Sequence, residues 1–222
     1  MAAIFRGSDP PSPPAACPIA SDPIGHARFD PLARLRSAAE DRAGAGLRRR
    51  LVPRHAGARV LDLASNDYLG MCGDHRLAEA AAAAARTWGT GSTGSRLVTG
   101  TTTLHAELEN ELAAFLGAAA ALVFSSGYLA NLAAVTALSA ALAAPGDGVL
   151  VVSDERNHAS LIDACRLARG RGVRLHVTSH ADLGAAEEAL ACRDERAAIL
   201  VCDSVFSVSG SMADVAGLHR IA

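Results

Sequence analysis

From Ala121 onward, short apolar runs alternate with longer stretches of helical periodicity, and this rhythm constrains the fold more than any other feature of the chain. The run at 121–124 precedes a helix expected over 128–143, and the run at 148–152 precedes one over 159–169. The run at 173–178 leads into 182–191, and the run at 197–202 leads into a last helix that begins near Ala213. Strands that return through a helix each time run parallel, and their near-continuous apolar character follows from helices covering both sides of the sheet. The expected fold is therefore α/β, a mostly parallel sheet with helices on both faces. Ligands of such sheets sit at the carboxyl ends of the strands.

Upstream, residues 1–28 carry Pro10, Pro11, Pro13, Pro14, Pro18 and Pro23, which oppose any regular element, and are expected to be disordered. Residues 29–58 read as an N-terminal helical arm, with Leu32, Leu35, Ala39 and Leu47 among charges. The remainder, 59–222, reads as part of one large domain. It opens on a strand candidate at 59–63 and an alanine-rich helix at 75–88 that Gly89 stops. A second helix at 104–116 carries Leu104, Leu108, Leu112 and Phe115 on one stripe.

The formal charge of −2 argues against nucleic acid as a partner, because phosphates call for a basic face. Arg, Asp, Gly or Pro interrupts every apolar run, so no membrane span is expected. Cys17, Cys72, Cys165, Cys192 and Cys202 lack CxxC spacing and read as thiols of a reducing compartment, with neither a metal site nor a disulfide framework. With no secretory signal pattern near the start, the expected location is cytoplasmic.

Two loops rich in glycine and hydroxyls suggest close approach to a ligand. Gly89-Thr-Gly-Ser-Thr-Gly94 matches the dinucleotide fingerprint GxGxxG, but a helix precedes it where a strand should. Ser125-Ser126-Gly127 lies between an apolar run and a helix, where unpaired N–H groups and the helix dipole favour an anion. A plain N-cap explains the same residues. His158 falls in the loop between a strand and a helix, as a catalyst or as a satisfied polar residue, and Ser207 follows the next-but-one strand as a ligand contact or a cap. The run Arg48-Arg49-Arg50 suits either a bound carboxylate or a solvated face. Ser209 and Ser211 read as a surface turn.

Taken together, ordered segments resemble the α-oxoamine synthase family of pyridoxal-phosphate enzymes, in particular its 8-amino-7-oxononanoate synthase branch. They are Leu61-Asp-Leu-Ala-Ser-Asn-Asp-Tyr-Leu-Gly70, Gly91-Ser-Thr-Gly-Ser-Arg-Leu-Val-Thr-Gly100, His105-Ala-Glu-Leu-Glu109, Phe124-Ser-Ser-Gly-Tyr128, Asn157-His-Ala-Ser-Leu-Ile-Asp163 and Val205-Phe-Ser207. The resemblance implies the aminotransferase class I/II-like fold type I and pyridoxal 5'-phosphate as cofactor. It also implies an acyltransferase that condenses L-alanine with pimeloyl-CoA or a pimeloyl carrier protein in biotin biosynthesis, working as a homodimer. By the same resemblance Ser126, Gly127 and Tyr128 hold the cofactor phosphate, and His158 stacks on the pyridine ring beside the amino acid. Ser207 lies near the phenolic oxygen, while Arg48 and Asn66 position substrate.

All 21 Lys+Arg residues are arginine, so the family's cofactor-binding lysine is absent from these 222 residues. The expectation is a fold incomplete at its C-terminus and inactive by itself. The rival readings are another α-oxoamine synthase (2-amino-3-ketobutyrate CoA ligase or 5-aminolevulinate synthase type), a non-catalytic scaffold of the same fold, and a nucleotide-binding oxidoreductase resting on the GxGxxG match.

Overall fold

In the computed structural model, residues 30, 32–58, 60–143, 148–169 and 172–222 are described. The tail expected at 1–28 lies outside them. The chain divides into two compact units, Met1–Cys72 and Gly73–Ala222. In the first, helix α1 (Ala33–Gly44) buries none of its residues, and Val60–Leu63 pair with no strand among the described residues. The turns after it are held by side chains: Arg54 donates to Asp62 at 2.6 Å, and the Asp67 carboxylate accepts the Met71 N–H at 2.8 Å.

The second unit follows the alternating rhythm. Helices α2 (His75–Trp88), α3 (Thr103–Leu116) and α4 (Gly127–Leu142) come first. Then β1 (Val149–Asp154), α5 (Ala159–Arg169), β2 (Arg174–Thr178), α6 (Leu183–Ala191), β3 (Ala197–Val201) and α7 (Val215–Ile221) alternate. Helix α2 starts where the Asp74 carboxylate accepts the Arg76 N–H and ends at Gly89, whose φ of +80° suits a residue without Cβ. The three strands are parallel in the order β2-β1-β3.

Every residue of β1 is buried. Val149 and Val151 join Val135, Ala164, Cys165 and Ala168 on the side of α4 and α5. Leu150 and Val152 join Ala186 and Leu190 on the side of α6, with Leu218 and Ile221 of α7 against them. The side chains of Val149, Leu150, Val151 and Val152, each at most 1 % exposed, contribute about 1.5–3 kcal/mol apiece relative to exposure. Helices therefore cover both faces, as the patterning requires.

The expected strand at 121–124 does not form: the run is irregular and pairs with no strand among the described residues. Its Val123 bonds instead to side chains: the N–H donates to Glu109 at 2.8 Å and the carbonyl accepts from Arg96 at 3.1 Å. A strand exists only where a neighbouring edge accepts it, and an apolar run does not encode that edge. The stripe on α3 is likewise helical but largely uncovered, since Leu104, Leu108 and Phe115 are all exposed and Ala113 is its one buried residue.

Candidate functional site

The strand order creates the site. From β1 the chain crosses to β2 on one side, then returns past β1 to β3 on the other. Right-handed crossovers in opposite directions put α5 and α6 on opposite faces and open a crevice between the carboxyl ends of β1 and β3. Two loops meet there. Asn157, only 4 % exposed, donates from Nδ2 to Ser153 Oγ at 3.0 Å and to the Val201 carbonyl at 2.8 Å. Its Oδ1 accepts the Asp203 N–H at 2.8 Å, and the Asp203 carboxylate accepts the His158 N–H at 2.6 Å. One buried amide thus ties the end of β1 to the end of β3 and fixes the backbone on which His158 stands.

The exposed His158 ring is held by Ser160. The Ser160 N–H donates to Nδ1 at 3.2 Å, and Ser160 Oγ lies 2.7 Å from the same nitrogen. Ser160 is fully buried, and its Oγ accepts from Asn131 Nδ2 of α4 at 2.8 Å.

A second histidine, His180, stands at the end of β2. Its Nδ1 lies 3.2 Å from Asp154 Oδ1, and its Nε2 lies 2.8 Å from Ser211 Oγ. Asp154 also accepts the N–H groups of Arg156 and Ala181, each at 2.7 Å. Phe206, 2 % exposed, meets the His180 ring edge-on at a centroid distance of 4.4 Å. Sequence reasoning missed Asp154, His180 and Asn131 and took Ser211 for a simple surface turn. The available signal was positional: Asp154 and His180 each end or follow a strand.

Ser126 caps α4 by accepting the Leu129 N–H at 3.2 Å. A Cβ at Gly127 would meet nothing within 4 Å, so the first turn of α4 faces open space. Tyr128 turns its hydroxyl to the Asp163 carboxylate of α5, and Asp163 also accepts from Arg166 at 3.0 Å. That hydrogen bond raises the Tyr128 phenol above its ordinary pKa, and with Arg166 it holds Asp163 below the usual carboxylate range.

Arg96 grips Glu109 through both terminal guanidinium nitrogens at 2.5 and 3.2 Å. Arg96, with the Val123 N–H, pulls the Glu109 carboxyl down to about 2. The clamp seats the glycine- and hydroxyl-rich loop against the segment leading to Ser125. An open cavity of about 780 Å³ lies between them, lined in part by Ser92, Ser95, Phe124 and Ser125. Gly100 is required here, because a Cβ on it would come within 2.0 Å of the Gly94 carbonyl oxygen.

Among the expected site residues, Ser126, Gly127, Tyr128 and His158 lie on the α4–α5 side, linked by Tyr128–Asp163 and Asn131–Ser160. Ser207 is exposed in the turn after β3, next to buried Phe206. Arg48 and Asn66 belong to the other unit. Arg48 there lines a groove with Arg36, Arg42 and Arg49, and Asn66 accepts from the Tyr68 hydroxyl at 3.3 Å.

The sequence profile of aminotransferase class I and II matches residues 58–222. The chain belongs to that family. Within it, the chain is similar to the 8-amino-7-oxononanoate synthase of Mycobacterium sp. (strain KMS), 56 % identical over 195 residues. It is also similar to that of Mycobacterium tuberculosis (strain F11), 55 % identical over 197 residues. Each alignment covers 88 % of this chain, which spans about half the length of these relatives, 49 % in both cases. Among solved structures, Sphingomonas wittichii serine palmitoyltransferase is similar with a TM-score of 0.68 and 27 % identity, over 87 % of this chain and 50 % of that one. That likeness accords with the parallel, helix-covered sheet of the family. Among the described residues, no helix is long and apolar enough to cross a membrane.

Proposed function

We propose that this chain serves in a pyridoxal-phosphate-dependent C-acyltransferase that condenses L-alanine with a pimeloyl thioester. The products are 8-amino-7-oxononanoate, carbon dioxide and the free thiol. The observation that carries this reading is identity above one half to relatives named for that activity, sustained over 195 residues.

The residues present suit the non-covalent part of such a cofactor site. The capped, open first turn of α4 offers N–H groups to a phosphate at Ser126, Gly127 and Tyr128. When bound, pyridoxal phosphate withdraws electrons from the amino acid's Cα. The chain's own residues orient and enclose the reactants. His158, held at its backbone N–H by Asp203 and at ring Nδ1 by Ser160, offers a flat ring beside the crevice. In this reading Ser207 approaches the cofactor's phenolic oxygen, and Asn66 and Arg48 bind substrate. A lysine that bonds to the cofactor has to come from outside these 222 residues, which contain none. The proposal extends to a cytoplasmic homodimer, with CoA or a carrier protein bearing the pimeloyl group.

The test uses the full natural polypeptide containing this chain, given L-alanine with pimeloyl-CoA or pimeloyl carrier protein. Mass spectrometry should detect 8-amino-7-oxononanoate and stoichiometric carbon dioxide with at least one donor. Turnover of glycine or serine with another thioester, and none of alanine, would move the chain to a different branch.

A further inference from the structure

We infer that Asn131 and Ser160 are positioning residues that hold the His158 ring in its Nε2–H tautomer. The inference deepens the reading above, in which His158 faces the reacting molecules, but it stands on the chain's own hydrogen bonds. A backbone N–H only donates, so the Ser160 N–H at 3.2 Å makes His158 Nδ1 an acceptor. In a neutral imidazole the single proton then sits on Nε2. The Ser160 hydroxyl completes the arrangement. Asn131 Nδ2 donates to its oxygen at 2.8 Å, which leaves the hydroxyl hydrogen free to point at Nδ1, 2.7 Å away. Because Ser160 is fully buried and Asn131 half-buried, water does not compete readily for these groups.

The polarity therefore runs one way, from the Asn131 amide through the Ser160 hydroxyl to Nδ1. Helix α4 supplies the first donor and helix α5 the second, so the packing of two helices is read out as the choice of proton on a ring beside the crevice. The consequence, whenever the ring is neutral, is a planar group that presents an Nε2–H donor. The His180 ring is polarised the other way, because a carboxylate at Nδ1 fixes the proton there.

The experiment is long-range ¹H–¹⁵N NMR of the imidazole nitrogens in the full natural polypeptide without cofactor or substrate, at a pH where the rings are neutral. Wild-type His158 should give the Nε2–H pattern and His180 the Nδ1–H pattern. Ser160→Ala should shift the His158 tautomer ratio toward Nδ1–H by about fivefold, the equivalent of one ordinary hydrogen bond of ~1 kcal/mol. Asn131→Asp should shift it in the same direction, because the new carboxylate draws the hydroxyl hydrogen away from the ring. Ser160→Thr, which keeps the hydroxyl, should restore the wild-type ratio.

Unchanged His180 signals certify that each variant is folded. If Ser160→Ala fails that check, Asn131→Asp and Ser160→Thr carry the test. A wild-type His158 with its proton on Nδ1 overturns the inference, as does an unchanged ratio in folded Asn131→Asp. No cofactor takes part, so a failed acyltransfer assay leaves this result intact, and the converse also holds.

Discussion

His158 and His180 stand at the ends of neighbouring parallel strands, yet their surroundings are built for different tasks. His158 is exposed, takes its partners from Ser160 at the start of α5 and Asp203 after β3, and keeps Nδ1 as an acceptor. The His180 side chain is only 16 % exposed and bridges Asp154 to Ser211, while its ring rests on Phe206. The first arrangement holds a ring still while leaving one edge available. The second consumes both nitrogens to join the end of β2 to the turn after β3. A histidine with both nitrogens consumed inside the protein is a fastener, whereas one with a nitrogen to spare can act on something else.

The comparison breaks most visibly through activity. In the full polypeptide, His158→Ala should lower acyl transfer by roughly 100-fold, the lower end of what a positioned proton-carrying group supplies, while the urea midpoint barely moves. An inactive but also strongly destabilised variant would make His158 a fastener as well. His180→Ala should reverse the pattern, costing about 1–3 kcal/mol in chemical denaturation because Asp154 and Ser211 lose a buried partner. Activity measured on the folded fraction should stay close to wild type.

A pH dependence confined to acid separates the Arg96–Glu109 clamp from both loops. The Glu109 carboxyl sits at about 2 instead of its ordinary 4.5, so its pairing stabilises the fold fully above 4.5 and is lost as pH falls toward 2. The stability difference between wild type and Glu109→Gln should be constant above that range and shrink below it. A difference that persisted in acid would mean the clamp acts by shape and not by charge. The smallest change concerns Ala181, held at φ +54° while its N–H donates to Asp154. Ala181→Gly should raise stability by about 0.5–1 kcal/mol, the left-handed strain of alanine less the added freedom of unfolded glycine. A loss would show that the alanine methyl packs in a way that outweighs its backbone strain.

Local signals were legible in the sequence and distant pairings were not. Helix α2 reads directly from Asp74, the alanine run and Gly89, and the three paired strands read from apolar runs between helical stretches. The runs at 59–63 and 121–124 carry the same signal without forming paired strands, since pairing depends on an edge elsewhere in the fold. His158 was visible as a candidate because its loop follows a strand. Its supports were not, because Asn131, Asp203 and Ser160 come from three separate elements. Ser211 shows the limit well: a serine in a turn gives no hint that a histidine two elements earlier reaches it.

One consequence of β1 reaches beyond the site. Sliding a strand by a single residue normally exposes its apolar side, and that penalty keeps most strands in place. Here the penalty nearly vanishes, because Val149 and Val151 on one side and Leu150 and Val152 on the other are all within 1 % of full burial. What distinguishes correct alignment from a slipped one is the polar end of the strand, where Asp154 must meet His180 and Asn157 must reach the Val201 carbonyl. The groups that shape the crevice therefore also act as the sheet's vernier, and a mutation there risks misaligned folding as well as a damaged site.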